Sequence, residues 1–80
     1  MEKVTIYGRM SCGFCSGARR LCETRGLEHE WVDMISEGLD KQDLSEIAGT
    51  PVHTVPQIFV GERHIGGFDE FTRFIEQNQA

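Results

Sequence analysis

The chain is short of prolines (two), short of cysteines (three), short of basic residues, and has no long apolar run. Each shortage removes a class of protein. A membrane-spanning helix takes ~20 consecutive apolar residues, and no stretch of this sequence approaches that. Three cysteines are too few, and odd in number, to staple a small secreted domain with disulfides. Lys and Arg number 8 against 13 Asp and Glu, a net charge of −5. Nucleic acid and anionic membranes select basic patches, so neither is expected as a partner. Met1-Glu2-Lys3 does not open a secretory leader. Repeats, low-complexity tracts and linkers are missing as well. What remains is one soluble domain over residues 1–80, expected to be complete, cytoplasmic and monomeric, with a thin core drawn from a 39% hydrophobic composition.

What the chain does have is a pair of cysteines two residues apart, Cys12-Gly13-Phe14-Cys15, and their setting matters more than their spacing. Val4 to Tyr7 is short and β-branched and reads as a central strand, buried on both faces. Gly8 to Ser11 reads as a turn. Phe14 to Arg25 then carries Phe14, Ala18, Leu21 and Cys22 at helical spacing, with Gly26 placed to end the helix. Cys12 therefore falls at a helix start, where unpaired N–H groups and the positive end of the helix dipole favour an anion. The anion on offer is a thiolate. Cysteine thiols in such positions ionise at about 3.5–7.5 instead of about 8.5, which makes them nucleophiles at neutral pH. In a reducing compartment this arrangement points to thiol–disulfide chemistry, with a structural or metal-binding pair as the alternative.

The rest of the chain reads as a short α/β unit. Glu30 to Met34 suits a second strand, and strand–helix–strand in this order implies a right-handed crossover between parallel strands. Asp40 is placed to cap a second helix with Asp43 in its first turn, Leu44, Ile47 and Ala48 facing inward, and Gly49 at its end. Gln57 to Val60 and Arg63 to Ile65 flank Gly61-Glu62, a hairpin with a two-residue turn. Gly66-Gly67 is expected to break the strand. A last helix then starts near Phe68 or Asp69 and buries Phe71, Phe74 and Ile75. The expected architecture is a four-stranded mixed sheet flanked by three helices.

Cys12-Gly13-Phe14-Cys15 after the first strand, Thr54-Val55-Pro56 before the third, and Gly66-Gly67-Phe68-Asp69 before the last helix together resemble the glutaredoxins, and in particular their small bacterial dithiol class. The resemblance covers the whole chain and implies a thioredoxin-like fold. It also implies a glutathione-dependent thiol–disulfide oxidoreductase with glutathione as co-substrate. Cys12 would be the nucleophile and Cys15 the resolving thiol. Arg9 would meet the glycyl carboxylate of glutathione, although a solvated surface arginine is the alternative. A cis proline at Pro56 would present the Val55 backbone beside Cys12, so that Thr54, Val55 and Pro56 form one wall of the substrate groove; a plain proline stop before an edge strand is the other reading. Gly67, Phe68 and Asp69 would hold the γ-glutamyl end at a helix start, with Phe14 as a further wall. Gln57 would reach the glycyl end or simply face solvent. Glutathionylated proteins and disulfide proteins, ribonucleotide reductase among them, are the implied substrates.

One feature departs from the dithiol pattern. Dithiol members usually have Pro and Tyr between the cysteines, whereas Gly13 and Phe14 stand here. Cys-Gly-Phe followed by Ser marks the monothiol class, many of which hold a [2Fe–2S] cluster through the first cysteine, here Cys12, with glutathione between two subunits. Cys15 in place of that Ser argues for the dithiol reading, with a cluster carrier second and a redoxin fed by thioredoxin reductase third. Cys22, on the apolar face with Ala18 and Leu21, reads as an inert buried thiol. His29, His53 and His64 show no ligand spacing, and Trp31 reads as core.

Overall fold

The structure is a computed structural model that describes residues 1–78; the expected domain runs to residue 80, and its last two positions lie outside the described residues. The elements follow in the order β1 (Val4–Gly8), α1 (Gly13–Thr24), β2 (His29–Asp33), α2 (Lys41–Ala48), β3 (Gln57–Val60), β4 (Arg63–Gly66) and α3 (Phe68–Asn78). The sheet order is β2-β1-β3-β4. β1 runs parallel to β2 and antiparallel to β3, and β3 pairs antiparallel with β4. The thioredoxin-like mixed sheet with three helices is thus present. β1 and β3 are the central strands, so Pro56 precedes a central strand and not an edge.

Period-2 alternation splits the core into two layers. Val4 and Ile6 of β1 and Ile58 and Val60 of β3 pack against Ala18 and Cys22 of α1 and Phe71 and Ile75 of α3. On the opposite face, Tyr7 joins Met34, Leu44 and Val52, with Leu39, Ala48 and Val55 at the margin. Tyr7 and Thr5 are only half-buried, so β1 is sealed on one face and partly open on the other, against the expectation of burial on both.

Local signals explain the boundaries. α2 begins with a full capping box: the Asp43 N–H donates to Asp40 Oδ1 at 2.9 Å, and the Asp40 N–H donates to Asp43 Oδ2 at 3.0 Å. Asp40 is held below the usual carboxylate range, chiefly by that backbone hydrogen bond. The β3–β4 turn puts Gly61 at φ 59°, a left-handed conformation that favours glycine. Three expectations shift. Ile47 is 44% exposed and does not face inward; α2 meets the small second layer through Leu44 and Ala48, one turn apart, which leaves Ile47 off the contact stripe. Gly66 ends β4 instead of breaking it, paired with Ile58. β2 stops at Asp33: the Met34 N–H still bonds Gly8 O at 2.9 Å, but the Met34 side chain is buried in the second core layer and the chain turns away after it.

Candidate active site

The β1–α1 junction builds the reactive end of the molecule. The Cys12 N–H donates to Arg9 O at 3.1 Å, closing the turn that follows β1. Cys12 itself is the N-cap of α1, with extended backbone (φ −92°, ψ 119°), and its sulfur does the capping. The Cys15 N–H donates to Cys12 Sγ at 3.2 Å. The Cys12 thiol in turn donates to Val55 O at 3.7 Å, across 43 residues of chain. Deprotonation would remove the second bond and strengthen the first, since a thiolate is the better acceptor. Cys12 is half-buried and reaches the surface, whereas Cys15 is fully buried.

The two thiols therefore differ in environment. Burial, helped by the hydrogen bond with Cys12, pushes the Cys15 thiol up to about 12, against a smaller opposing pull from the Arg9 backbone and charge. Burial likewise pushes the Cys22 thiol up to about 11. All three cysteines are free thiols. Cys15 owes its tight setting to Gly8: a Cβ there would collide with Cys15 Sγ and lie 3.0 Å from the Trp31 ring.

Beside Cys12 runs a groove of about 260 Å³ lined by Phe14, Thr54, Val55, Pro56, Gly67, Phe68, Asp69 and Glu70. Seven of these were expected from the sequence, and they come together from three separate segments. The Val55–Pro56 peptide bond is cis. Among the described residues, the Val55 N–H has no backbone partner. Phe14 is 65% exposed and leans on Phe68, with ring centroids 5.9 Å apart, so it walls the groove instead of joining the core. Thr54 and Val55 also line a second cavity, of about 320 Å³, whose rim carries Arg9, Lys41 and His53 over Met34, Leu44 and Val52. Two hollows that share Thr54 and Val55 thus flank the loop before β3, one with the acidic residues Asp69 and Glu70 and one with the basic residues Arg9, Lys41 and His53.

Gln57 takes no part in either lining. It is 5% exposed, and both ends of its amide are engaged within the protein, by Thr54 and by His64. It does not face solvent, because it lies on a central strand under the loop that precedes it. Glu70 went unnoticed in the sequence. Its Oε1 accepts the Gly67 N–H at 2.8 Å at the start of α3, and a carboxylate three residues into the capped end was the available signal. Lys41 and His53 were also missed as companions of Arg9, since only the folded chain brings them together.

A [2Fe–2S] cluster is bound by four thiolates or their equivalents. Among the described residues, no three His, Cys, Asp or Glu side chains converge on a metal site. Cys15 is buried as a neutral thiol, so one copy offers the single accessible sulfur of Cys12, and the residues of one chain do not fit a cluster. Among the described residues, no helix is long and apolar enough to cross a membrane.

The glutaredoxin family model matches residues 4–65 of the chain. Glutaredoxin 1 of Escherichia coli is 41% identical over 81 residues, which span 95% of this chain and 95% of that one. The glutaredoxin of Vibrio cholerae is 40% identical over 80 residues, spanning 94% of this chain and 92% of that protein. The solution structure of reduced E. coli glutaredoxin superposes with a TM-score of 0.84 at 40% identity, covering 95% of each chain. Sequence and backbone agree along nearly the whole length, and the chain belongs to the glutaredoxin family of thiol–disulfide oxidoreductases.

Proposed function

We propose that the protein reduces glutathione mixed disulfides and protein disulfides through Cys12 and Cys15, with glutathione as the reductant. The observation that carries this reading is the placement of Cys12 Sγ, half-buried and 3.7 Å from Val55 O, at the edge of a groove walled by Phe14 and Phe68. Glutathione carries an ammonium and a carboxylate at its γ-glutamyl end and a carboxylate at its glycyl end. The Gly67–Glu70 end of the groove supplies acidic side chains and a helix start, while Arg9 and Lys41 supply cations beyond Val55. The charges match end for end.

On a glutathionylated protein, the Cys12 thiolate attacks the glutathione sulfur. A Cys12–glutathione disulfide forms and the protein thiolate departs. A second glutathione thiolate then attacks the bound glutathione sulfur, yielding oxidised glutathione and free Cys12. On a protein disulfide, Cys12 forms the mixed disulfide first. Cys15 attacks the Cys12 sulfur, its proton passes to the departing protein thiolate, and a Cys12–Cys15 disulfide remains for two glutathiones to reduce. A cysteinyl substrate such as ribonucleotide reductase would lay its backbone against Val55 as an added strand.

The deciding experiment is reduction of a glutathionylated peptide by glutathione, coupled to NADPH through glutathione reductase. Rapid turnover, lost in Cys12→Ser, is expected. No turnover, with activity restored by thioredoxin reductase, would overturn glutathione as the reductant. A colourless protein with full turnover after anaerobic purification would set the cluster reading aside.

A further inference from the structure

Gln57 is a buried amide, and a buried amide must place each donor and acceptor. Its Nε2 donates to Thr54 O at 2.9 Å. A carbonyl oxygen only accepts, so the amino end of the amide faces Thr54 and the oxygen end faces His64, whose Nε2 lies 2.7 Å away. The Gln57 oxygen can only accept in turn, so His64 must carry a proton on Nε2. The imidazole also packs against Phe59, with centroids 5.0 Å apart and planes tilted by 43°, and Phe59 meets the Tyr7 ring edge-on at 5.5 Å. A directed chain therefore runs from His64 through Gln57 to the Thr54 carbonyl. It ends one residue before Val55, whose own carbonyl faces Cys12 Sγ at 3.7 Å.

We propose that Gln57, oriented by His64, is a positioning residue that fixes the Thr54–Val55 backbone as the docking edge for the substrate's cysteinyl strand opposite Cys12. The inference rests on the reading of the groove given above. Neither side chain touches substrate; they act through the backbone they hold. Loss of the chain loosens the edge that binds the substrate and leaves Cys12 on its own helix cap, so binding suffers more than chemistry.

The test compares Gln57→Met, which keeps volume without hydrogen bonds, with His64→Phe, which keeps the ring without the donor, and with His64→Gln, which restores a donor near the place of Nε2. With the glutathionylated peptide, Gln57→Met and His64→Phe should raise KM about fivefold, the scale of one lost neutral hydrogen bond, with kcat within about twofold. His64→Gln should recover most of the loss. In the reduced wild-type protein, nitrogen-detected NMR should show His64 protonated on Nε2, and in Gln57→Met the Val55 and Cys12 amide resonances should shift. An unchanged KM in both Gln57→Met and His64→Phe, or a His64 ring protonated on Nδ1 alone, would overturn the proposal. The NMR readouts need no turnover, so an inactive wild-type enzyme would count against glutathione as reductant without deciding this positioning role.

Discussion

Cys12 caps the helix that carries Cys15: its sulfur accepts the Cys15 N–H at 3.2 Å, so the two thiols of the proposed redox pair are joined before any substrate arrives. Serine and cysteine should therefore part company with alanine at position 12. Cys12→Ser, with an oxygen that caps well, should keep its thermal midpoint near that of wild type while losing all turnover. Cys12→Ala should lose turnover and also about 1 kcal/mol of stability. Equal midpoints for the two variants would show that the cap contributes nothing.

Cys15→Ser separates the two reactions. If Cys12 alone removes glutathione, as proposed, deglutathionylation of a peptide should persist, while reduction of a protein disulfide should stall at the mixed disulfide. Mass spectrometry of the stalled adduct, with the substrate joined to Cys12, is the check. Equal loss of both activities would contradict the resolving role.

Gly8 is a packing requirement. A Cβ at this position would run into Cys15 Sγ and crowd the Trp31 ring. Gly8→Ala should cost about 1–3 kcal/mol in urea unfolding, the usual range for overpacking. Protein-disulfide reduction should fall further than peptide deglutathionylation, because Cys15 is the atom displaced.

Gly13 occupies the first position of α1, where an N–H has no partner within the helix. Its φ is not positive, and a Cβ there would meet nothing within 4 Å. Cys12 before it is already extended, as a residue preceding proline must be. Gly13→Pro should accordingly raise stability by roughly 0.5–1 kcal/mol, measured as a higher urea midpoint at unchanged slope. A lower midpoint would mean that the loop relies on glycine's freedom.

Alkaline pH should weaken the fold through the buried thiols. Cys15 is pushed up to about 12 and Cys22 to about 11, each chiefly by burial, from an ordinary value of 9.0. Above that ordinary value the unfolded chain releases these protons and the folded chain keeps them, so stability falls as pH rises. The thiol contribution is complete below pH 9 and is lost as pH climbs through 11 and 12. Urea midpoints between pH 7 and 11 should trace this decline, with a shallower slope in Cys22→Ala. Parallel slopes would sink the assignment of Cys22.

Local features of the chain were legible in order. The Asp40–Asp43 capping box, the turn at Gly61 and the cysteine at a helix start are written within a few residues, and each formed where its pattern lay. What stayed hidden depends on partners distant in sequence. Gln57 has the composition of a solvent-facing residue, and only the overlying Thr54 loop and the neighbouring strand's His64 bury it. Ile47 has the composition of core, but the layer beneath α2 is too narrow to cover it. The closeness of Gly8 to Cys15 depends on how α1 packs back on β1 and Trp31, which no short pattern encodes.

Cys12 and Val55 stand 43 positions apart in the chain, so their contact is made by the fold and not by local sequence. Both thiols leave the ribosome early, while the strand that seats Val55 against Cys12 is made only in the last third of the chain. β3 must then insert beside β1, the partner with which it shares the register Ile6 to Ile58. A chain in which β3 is not yet in place holds both sulfurs but lacks the Val55 carbonyl beside Cys12. The groove beside Cys12 thus exists only where three separate segments of the chain have come together in the folded sheet.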